Sequence, residues 1–284
     1  MSRIDRSIKN AAEILGGAGI PEPVREAVSL LMLATDREKA FIYGHPEYEL
    51  TNVEAAALDE MVTRRARREP LQYISGSTEF YGRRFAVGPG VLIPRPETEL
   101  LVEEAVEFLA GRSGKTFYEV GPGSGCIAIS ILAELTGARG SAADLSSAAV
   151  EHTRRNAELH GVADRLNVCA GDLFSGATER FDLVISNPPY IAADEMVGLQ
   201  REVRDFEPRE ALTDGGDGLG VIRAIVDSSP DHLVADGALL MEIGAGQAGQ
   251  VRQMLERRGF GDIDFRKDLQ GIERTVTARR KGNV

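Results

Sequence analysis

Phe117-Tyr118-Glu119-Val120-Gly121-Pro122-Gly123-Ser124-Gly125-Cys126-Ile127-Ala128-Ile129 is the stretch that decides the fold. An apolar, strand-like run passes through three alternating glycines into a second apolar run, which reads as strand, tight turn and helix. Glycine lets backbone approach a ligand that lies across a helix N-terminus, where unpaired N–H groups gather. The next strand ends at Asp144, about 20 residues on, where a carboxylate can accept both hydroxyls of an adenosine ribose. Two other loops are excluded. The third glycine of a dinucleotide fingerprint would fall at position 126, which is Cys126. No Lys-Ser or Lys-Thr pair follows, so the loop is not a triphosphate cradle.

Outward from this loop, strands are predicted at 116–120, 139–143, 166–170, 181–186 and 237–243, with two more near the C-terminus. Helical patterns fill 124–136, 147–160, 217–229 and 246–258. Such alternation predicts an α/β domain: a mostly parallel sheet, helices on both faces, and ligands beyond the carboxyl ends of the strands. The first 70 or so residues instead read as helices. Ser2 is expected to cap one that stops at Gly16-Gly17, residues 23–34 form a second, and Asp36 caps a third ending near Gly44. Thr51-Asn52-Val53-Glu54 is a capping box. Its helix runs into Arg64-Arg65-Ala66-Arg67-Arg68, read as a solvated face or a docking surface, and stops before Pro70. Residues 71–94 carry short extended pieces around Gly76 and Gly82, and Pro96 opens a helix. The expected organisation is a small all-α domain (1–72), a β-hairpin linker (73–94) and the α/β domain (95–284).

Forty-four acidic against 33 basic residues in 284 give a formal charge of -11. An acidic surface argues against general nucleic-acid binding, which relies on neutralising phosphates. Cys126 and Cys169 sit in apolar runs and are expected in the core. Without CxxC or suitably spaced histidines, neither a disulfide scaffold nor a metal site is expected. Charges at Arg3, Asp5, Arg6 and Lys9 precede no long apolar stretch, so no signal peptide or membrane span is expected, and the location is expected to be cytoplasmic.

The strand at 181–186 runs directly into Asn187-Pro188-Pro189-Tyr190. Two prolines remove two backbone donors, which leaves carbonyls free to act as acceptors. Asn187 adds a side-chain carbonyl and Tyr190 a flat ring. Together these suit a planar –NH2 group, with two acceptors for its two hydrogens and an aromatic face beneath. The nitrogen of an amide or aromatic amine is a poor nucleophile. Acceptors on both N–H bonds enrich it and aim its lone pair, so catalysis there is positioning and electrostatics. No histidine is placed as a general base.

The glycine loop with its acid two residues earlier resembles that of S-adenosylmethionine-dependent methyltransferases, which implies a Rossmann-like domain. That resemblance implies that Glu119 lies near the methionine part of the cofactor and Asp172 near the adenine amino group, with Leu173 against the ring. It carries cofactor contacts onto Gly121, Pro122, Gly123, Ser124, Gly125, Asp144, Leu145 and Asn187 as well. Asn-Pro-Pro-Tyr adds an amino-group substrate: protein glutamine, DNA adenine and rRNA guanine enzymes resemble one another here. Further blocks narrow the match: Glu69-Pro70-Leu71-Gln72-Tyr73, Val91-Leu92-Ile93-Pro94-Arg95-Pro96-Glu97-Thr98-Glu99, Phe206-Glu207-Pro208-Arg209-Glu210, Asp214-Gly215-Gly216-Asp217-Gly218 and Leu240-Met241-Glu242-Ile243-Gly244. Over nearly the full chain the sequence resembles the peptide chain release factor N5-glutamine methyltransferases, the HemK/PrmC family. Pro122 and Tyr81 depart from its usual residues. The resemblance implies methylation of the glutamine in the Gly-Gly-Gln loop of class 1 release factors. S-adenosylmethionine would be consumed and S-adenosylhomocysteine released, by a monomer that binds no nucleic acid directly. The alternative is another planar amino group, on a ribosomal-protein glutamine or a nucleic-acid base. Asn187, Pro188 and Tyr190 are the expected catalytic residues; Pro189 and Arg95 join them in binding substrate. Arg95 is expected to order the linker, or to pair with Glu97 or Glu99. Glu207 and Arg209 are expected to pair beneath the pocket.

Overall fold

The computed structural model describes residues 2–281. They form two compact units: residues up to 76 with 200–206, and residues 77–199 with those from 207 onward.

The first unit holds α1 (Ile4–Gly17), α2 (Pro23–Thr35), α3 (Lys39–Gly44), α4 (Asn52–Ala66) and α5 (Leu71–Ser75). Apolar residues at helical spacing supply its core, with Ile4, Ala11 and Leu15 of α1 packed among Leu30, Leu31, Leu58 and Val62. The capping box forms as expected. Glu54 N–H donates to Thr51 Oγ1 (3.2 Å) and Thr51 N–H to Glu54 Oε2 (2.7 Å). Two other caps differ. Arg3, not Ser2, is the N-cap of α1, and the Ser2 hydroxyl instead accepts from Ser7. Asp36 closes α2 in the left-handed region (φ 51°), so its backbone N–H satisfies a helix-end carbonyl while Glu38 stands before α3.

The basic run is neither a solvated face nor a free docking surface. Arg64 pairs with Glu69, and Arg65, only 6% exposed, reaches Glu26 (2.9 Å) and Glu202 (3.2 Å). Arg68 joins Glu202 and also donates to the carbonyls of Ala18 and Gly19. Only Arg67 of the four arginines is exposed. Acids at distant positions, invisible to local reading, turned the run inward.

The second unit starts with the hairpin β1 (Ser77–Phe80) and β2 (Arg83–Ala86), turned at Tyr81-Gly82, both with positive φ. A 3-10 turn at Pro96–Thr98 leads into α6 (Glu99–Ala110). Then follow β3 (Thr116–Val120), α7 (Cys126–Glu134), β4 (Arg139–Asp144), α8 (Ser147–Leu159), β5 (Leu166–Ala170) and β6 (Phe181–Ser186). The chain passes through α9 (Arg201–Phe206), which belongs to the first unit, and returns as α10 (Gly220–His232) and β7 (Leu233–Glu242). It ends with α11 (Ala248–Arg257), β8 (Phe260–Lys267) and β9 (Glu273–Arg280).

Seven strands lie in the order β5-β4-β3-β6-β7-β9-β8, parallel from β5 to β7 and antiparallel where β9 meets its two neighbours. One face packs Leu101, Ala105, Ile127 and Ile131; the other packs Ile222, Ile225, Val251 and Leu255. Residues 126–132 of α7 are all buried, which is why that helix lacks a polar face. Among the described residues, no helix is long and apolar enough to cross a membrane.

Arg65→Ala should destabilise the first unit by roughly 2–4 kcal/mol, because Glu26 and Glu202 lose a buried cation. Arg67→Ala should leave the unfolding midpoint in place. Urea titrations of both variants check this, and matching small shifts would mean the buried guanidinium contributes nothing.

Candidate active site

The chain runs outward from β3 to β4 and β5, then crosses back to β6 on the other side of β3. Connections from β3 and β6 therefore diverge, which opens a crevice at their carboxyl ends. Val120 and Ser186 are partners in register, so the glycine loop and Asn187-Pro188-Pro189 leave the sheet side by side. The Ser186 hydroxyl donates to the Val120 carbonyl at 2.8 Å and ties the two exits together.

Gly121, Gly123 and Gly125 have φ of 70°, 58° and 79°, a region that disfavours any side chain. A Cβ on Gly121 or Gly123 would meet nothing within 4 Å, whereas one on Gly125 would lie 2.8 Å from Thr153. The first two glycines face open space, and the third permits packing against α8. Asp144 pins the loop, accepting from Gly123 N–H (3.0 Å) and Ser146 N–H (2.9 Å). Burial raises its pKa against those two bonds.

A cleft of about 490 Å³ opens above these strand ends. Its wall includes Glu119, Gly121, Pro122, Gly123, Ser124, Asp144, Leu145, Asp172, Leu173, Asn187, Pro188, Pro189 and Arg95. Two of the expected positions stand outside that wall, Gly125 beneath the turn and Tyr190. The Tyr190 hydroxyl donates to Glu242 Oε1 at 3.0 Å, which anchors the far edge of its ring. Burial, then Glu242, pushes the phenol's pKa up, so it is a neutral donor. Asp172 is exposed at the rim, beside Leu173 with φ 44°.

Glu119 is fully buried at the end of β3. Its Oε2 accepts from Ala128 N–H (3.0 Å), while Oε1 has no partner among the described residues. Burial pushes its pKa up to about 8, with the Ala128 bond opposing and Asp144 adding a little. An unsatisfied acceptor on the wall of a cleft calls for a donor from a ligand.

Neither expected ion pair forms; one pair stands in place of both. Arg95 pairs with Glu207 (2.5 Å), not with Glu97 or Glu99, and Glu207 therefore does not pair with Arg209. The second Glu207 oxygen accepts from Ile93 N–H at 3.0 Å, so this buried acid holds the segment before Arg95. Cys126 is buried, which pushes its thiol pKa up, and Cys169 is half-buried with its Sγ on the Ser175 carbonyl.

Several residues escaped sequence reading. Glu242, at the end of β7, is 1% exposed and accepts from Thr98 Oγ1 (2.7 Å) as well as from Tyr190. Burial raises its pKa; both hydrogen bonds and Arg274 oppose the rise. Thr98 Oγ1 in turn accepts from Asn187 Nδ2 at 3.1 Å. Gln247 donates to the Tyr190 carbonyl (3.0 Å) and accepts from Gly244 N–H. Asn156, fully buried, bonds the backbone of Ala86 and Ser124 and so holds the hairpin end against the loop. An acid inside the apolar run Leu239-Leu240-Met241-Glu242-Ile243 was the one visible signal.

Residues 7–76 match the PrmC N-terminal domain, and residues 96–224 match the methyltransferase small domain. The chain is 43% identical over 273 residues to a release factor glutamine methyltransferase of Cereibacter sphaeroides, covering 96% of this chain and 97% of that one. It is 41% identical to one from Geobacter sulfurreducens, covering 93% and 92%. The solved structure of a methyltransferase from Pyrococcus furiosus is similar in fold, with a TM-score of 0.54 at 16% identity over 72% of this chain and 91% of that one.

Glu119→Gln tests the buried acid. Between the ordinary value of 4.5 and about 8, only the folded chain keeps this proton, so the carboxyl's contribution to stability is lost as pH rises through that window. Glutamine has no proton to lose. The stability of the variant relative to the parent should therefore rise between about pH 5 and about pH 8.5 in ligand-free urea titrations. A pH-independent difference would mean that Glu119 ionises normally.

Proposed function

The chain belongs to the release factor glutamine methyltransferase family, and on that premise we propose that it N5-methylates the glutamine of the Gly-Gly-Gln loop in class 1 release factors. S-adenosylmethionine is the methyl donor in this reading. The observation that carries it is the Val120–Ser186 register, which brings an open glycine cradle and Asn187-Pro188 into one cleft.

The cradle fits that cofactor. Glu119 Oε1 is a buried acceptor in want of a donor, and a cationic amine there would also draw the carboxyl toward its charged form. Gly121 and Gly123 leave room for close approach, Asp144 keeps lone pairs for ribose hydroxyls, and Leu145 and Leu173 supply apolar surface at the rim. When bound, the cofactor supplies an electrophilic methyl on a sulfonium.

The chain's own residues do the rest. Asn187 Oδ1 and the Pro188 carbonyl accept the two N–H bonds of the incoming carboxamide, which fixes its plane and enriches its nitrogen. Pro189 shapes the wall, and Arg95, held by Glu207, lines the entrance. The glycines of the target loop permit a close approach of backbone to this wall. Fixed acceptors act without reorganisation, so the rate gain is one of orientation and electrostatics. The first unit, which matches the PrmC N-terminal domain, is the part we assign to gripping the release factor. Translation termination sets the compartment as the cytoplasm.

The experiment is methyl transfer from labelled S-adenosylmethionine to purified release factor, with the site mapped by mass spectrometry. One methyl on the glutamine, absent when that residue is Asn, is expected. Methylation of ribosomal protein or nucleic acid instead would overturn the reading. Within the same assay, Asn187→Ala should lower kcat by about 100-fold or more and leave cofactor affinity within about 3-fold. Equal losses in both would mean that Asn187 serves the cofactor.

A further inference from the structure

An asparagine amide has two faces that differ only in which atom accepts and which donates. Methylation as proposed above works only if Asn187 turns its oxygen to the substrate. Among the described residues, the Asn187 side chain is held by another side chain and by no backbone group. Its Nδ2 donates to Thr98 Oγ1 at 3.1 Å, Thr98 Oγ1 donates to Glu242 Oε2 at 2.7 Å, and Tyr190 donates to Glu242 Oε1 at 3.0 Å. A hydroxyl has one hydrogen. Glu242, 1% exposed, accepts from Tyr190 on one oxygen and takes that hydrogen from Thr98 on the other. Thr98, 2% exposed, is left as an acceptor on the side that meets Asn187. Only the NH2 of Asn187 satisfies it, which leaves Oδ1 for the cleft.

We propose that Thr98 and Glu242 are positioning residues that set the orientation of the Asn187 amide, so that its oxygen faces the substrate. The inference rests on the functional reading above. Glu242 acts through Thr98, and neither is assigned a contact with the transferring methyl. Tyr190 completes the arrangement by donating to the second carboxylate oxygen, which fixes the plane of the carboxylate.

A double-mutant cycle tests this with the full-length chain and release factor as substrate. Thr98→Val keeps the shape and removes the hydroxyl. Its kcat should fall between about 10- and 100-fold, with cofactor Kd and release factor KM within about 3-fold. Thr98→Ser should restore kcat to within about 3-fold of the parent, because the hydroxyl returns. Adding Thr98→Val to Asn187→Ala should cost less than about 2-fold more, since the residue it orients is gone. Glu242→Leu, which removes the acceptor that takes the Thr98 hydrogen, should reproduce the kcat loss. The inference is overturned if Thr98→Val keeps kcat within about 2-fold, or if its loss persists in full in the Asn187→Ala background. A parent chain that methylates no glutamine would refute the functional reading itself.

Discussion

Parallel pairing of β3 with β6 is the constraint from which the site follows. It sets Val120 beside Ser186 and sends two loops of different character out of the sheet at one point. One loop is all backbone, three glycines at positive φ pinned by Asp144; the other has two residues without N–H groups. A slip of this register would separate the cradle from the proline-bearing wall, and the proposed transfer needs both. The Ser186 hydroxyl on the Val120 carbonyl satisfies a buried group at that junction and reinforces the register.

Around the junction, rigidity comes from buried and half-buried polar side chains rather than from more apolar packing. Asn156, Glu207, Glu242 and Gln247 each hold two or more partners, and each links stretches distant in sequence. Burying such groups costs desolvation, which only complete hydrogen bonding offsets. What they add is a defined geometry at the cleft wall. Glu119 is the exception, with one oxygen unsatisfied, and it stands where the cofactor's amine is assigned.

Most of the fold was legible because its signals are local. Thr116–Val120, Leu166–Ala170 and Phe181–Ser186 are apolar runs bounded by turns, and Thr51 with Glu54 is a self-contained cap. The cleft wall was legible for the same reason, since its motifs sit at strand ends. Partnerships were not. Arg65 with Glu202 spans 137 positions and Arg95 with Glu207 spans 112, while nearer acids such as Glu97 offered the obvious but wrong pairing. Tyr190 is a similar case: its place after two prolines is a local signal, but the partner of its hydroxyl is a buried acid on a strand far downstream.

On the proposed reading, one cleft holds cofactor and carboxamide side by side, with Asn187 between them. A crystal structure with S-adenosylhomocysteine and a Gly-Gly-Gln peptide measures this directly. The glutamine amide nitrogen is expected about 3 Å from Asn187 Oδ1, with the cofactor's amine on Glu119. A glutamine side chain bound away from Asn187, or an Asn187 that turns its NH2 to the peptide, would contradict it.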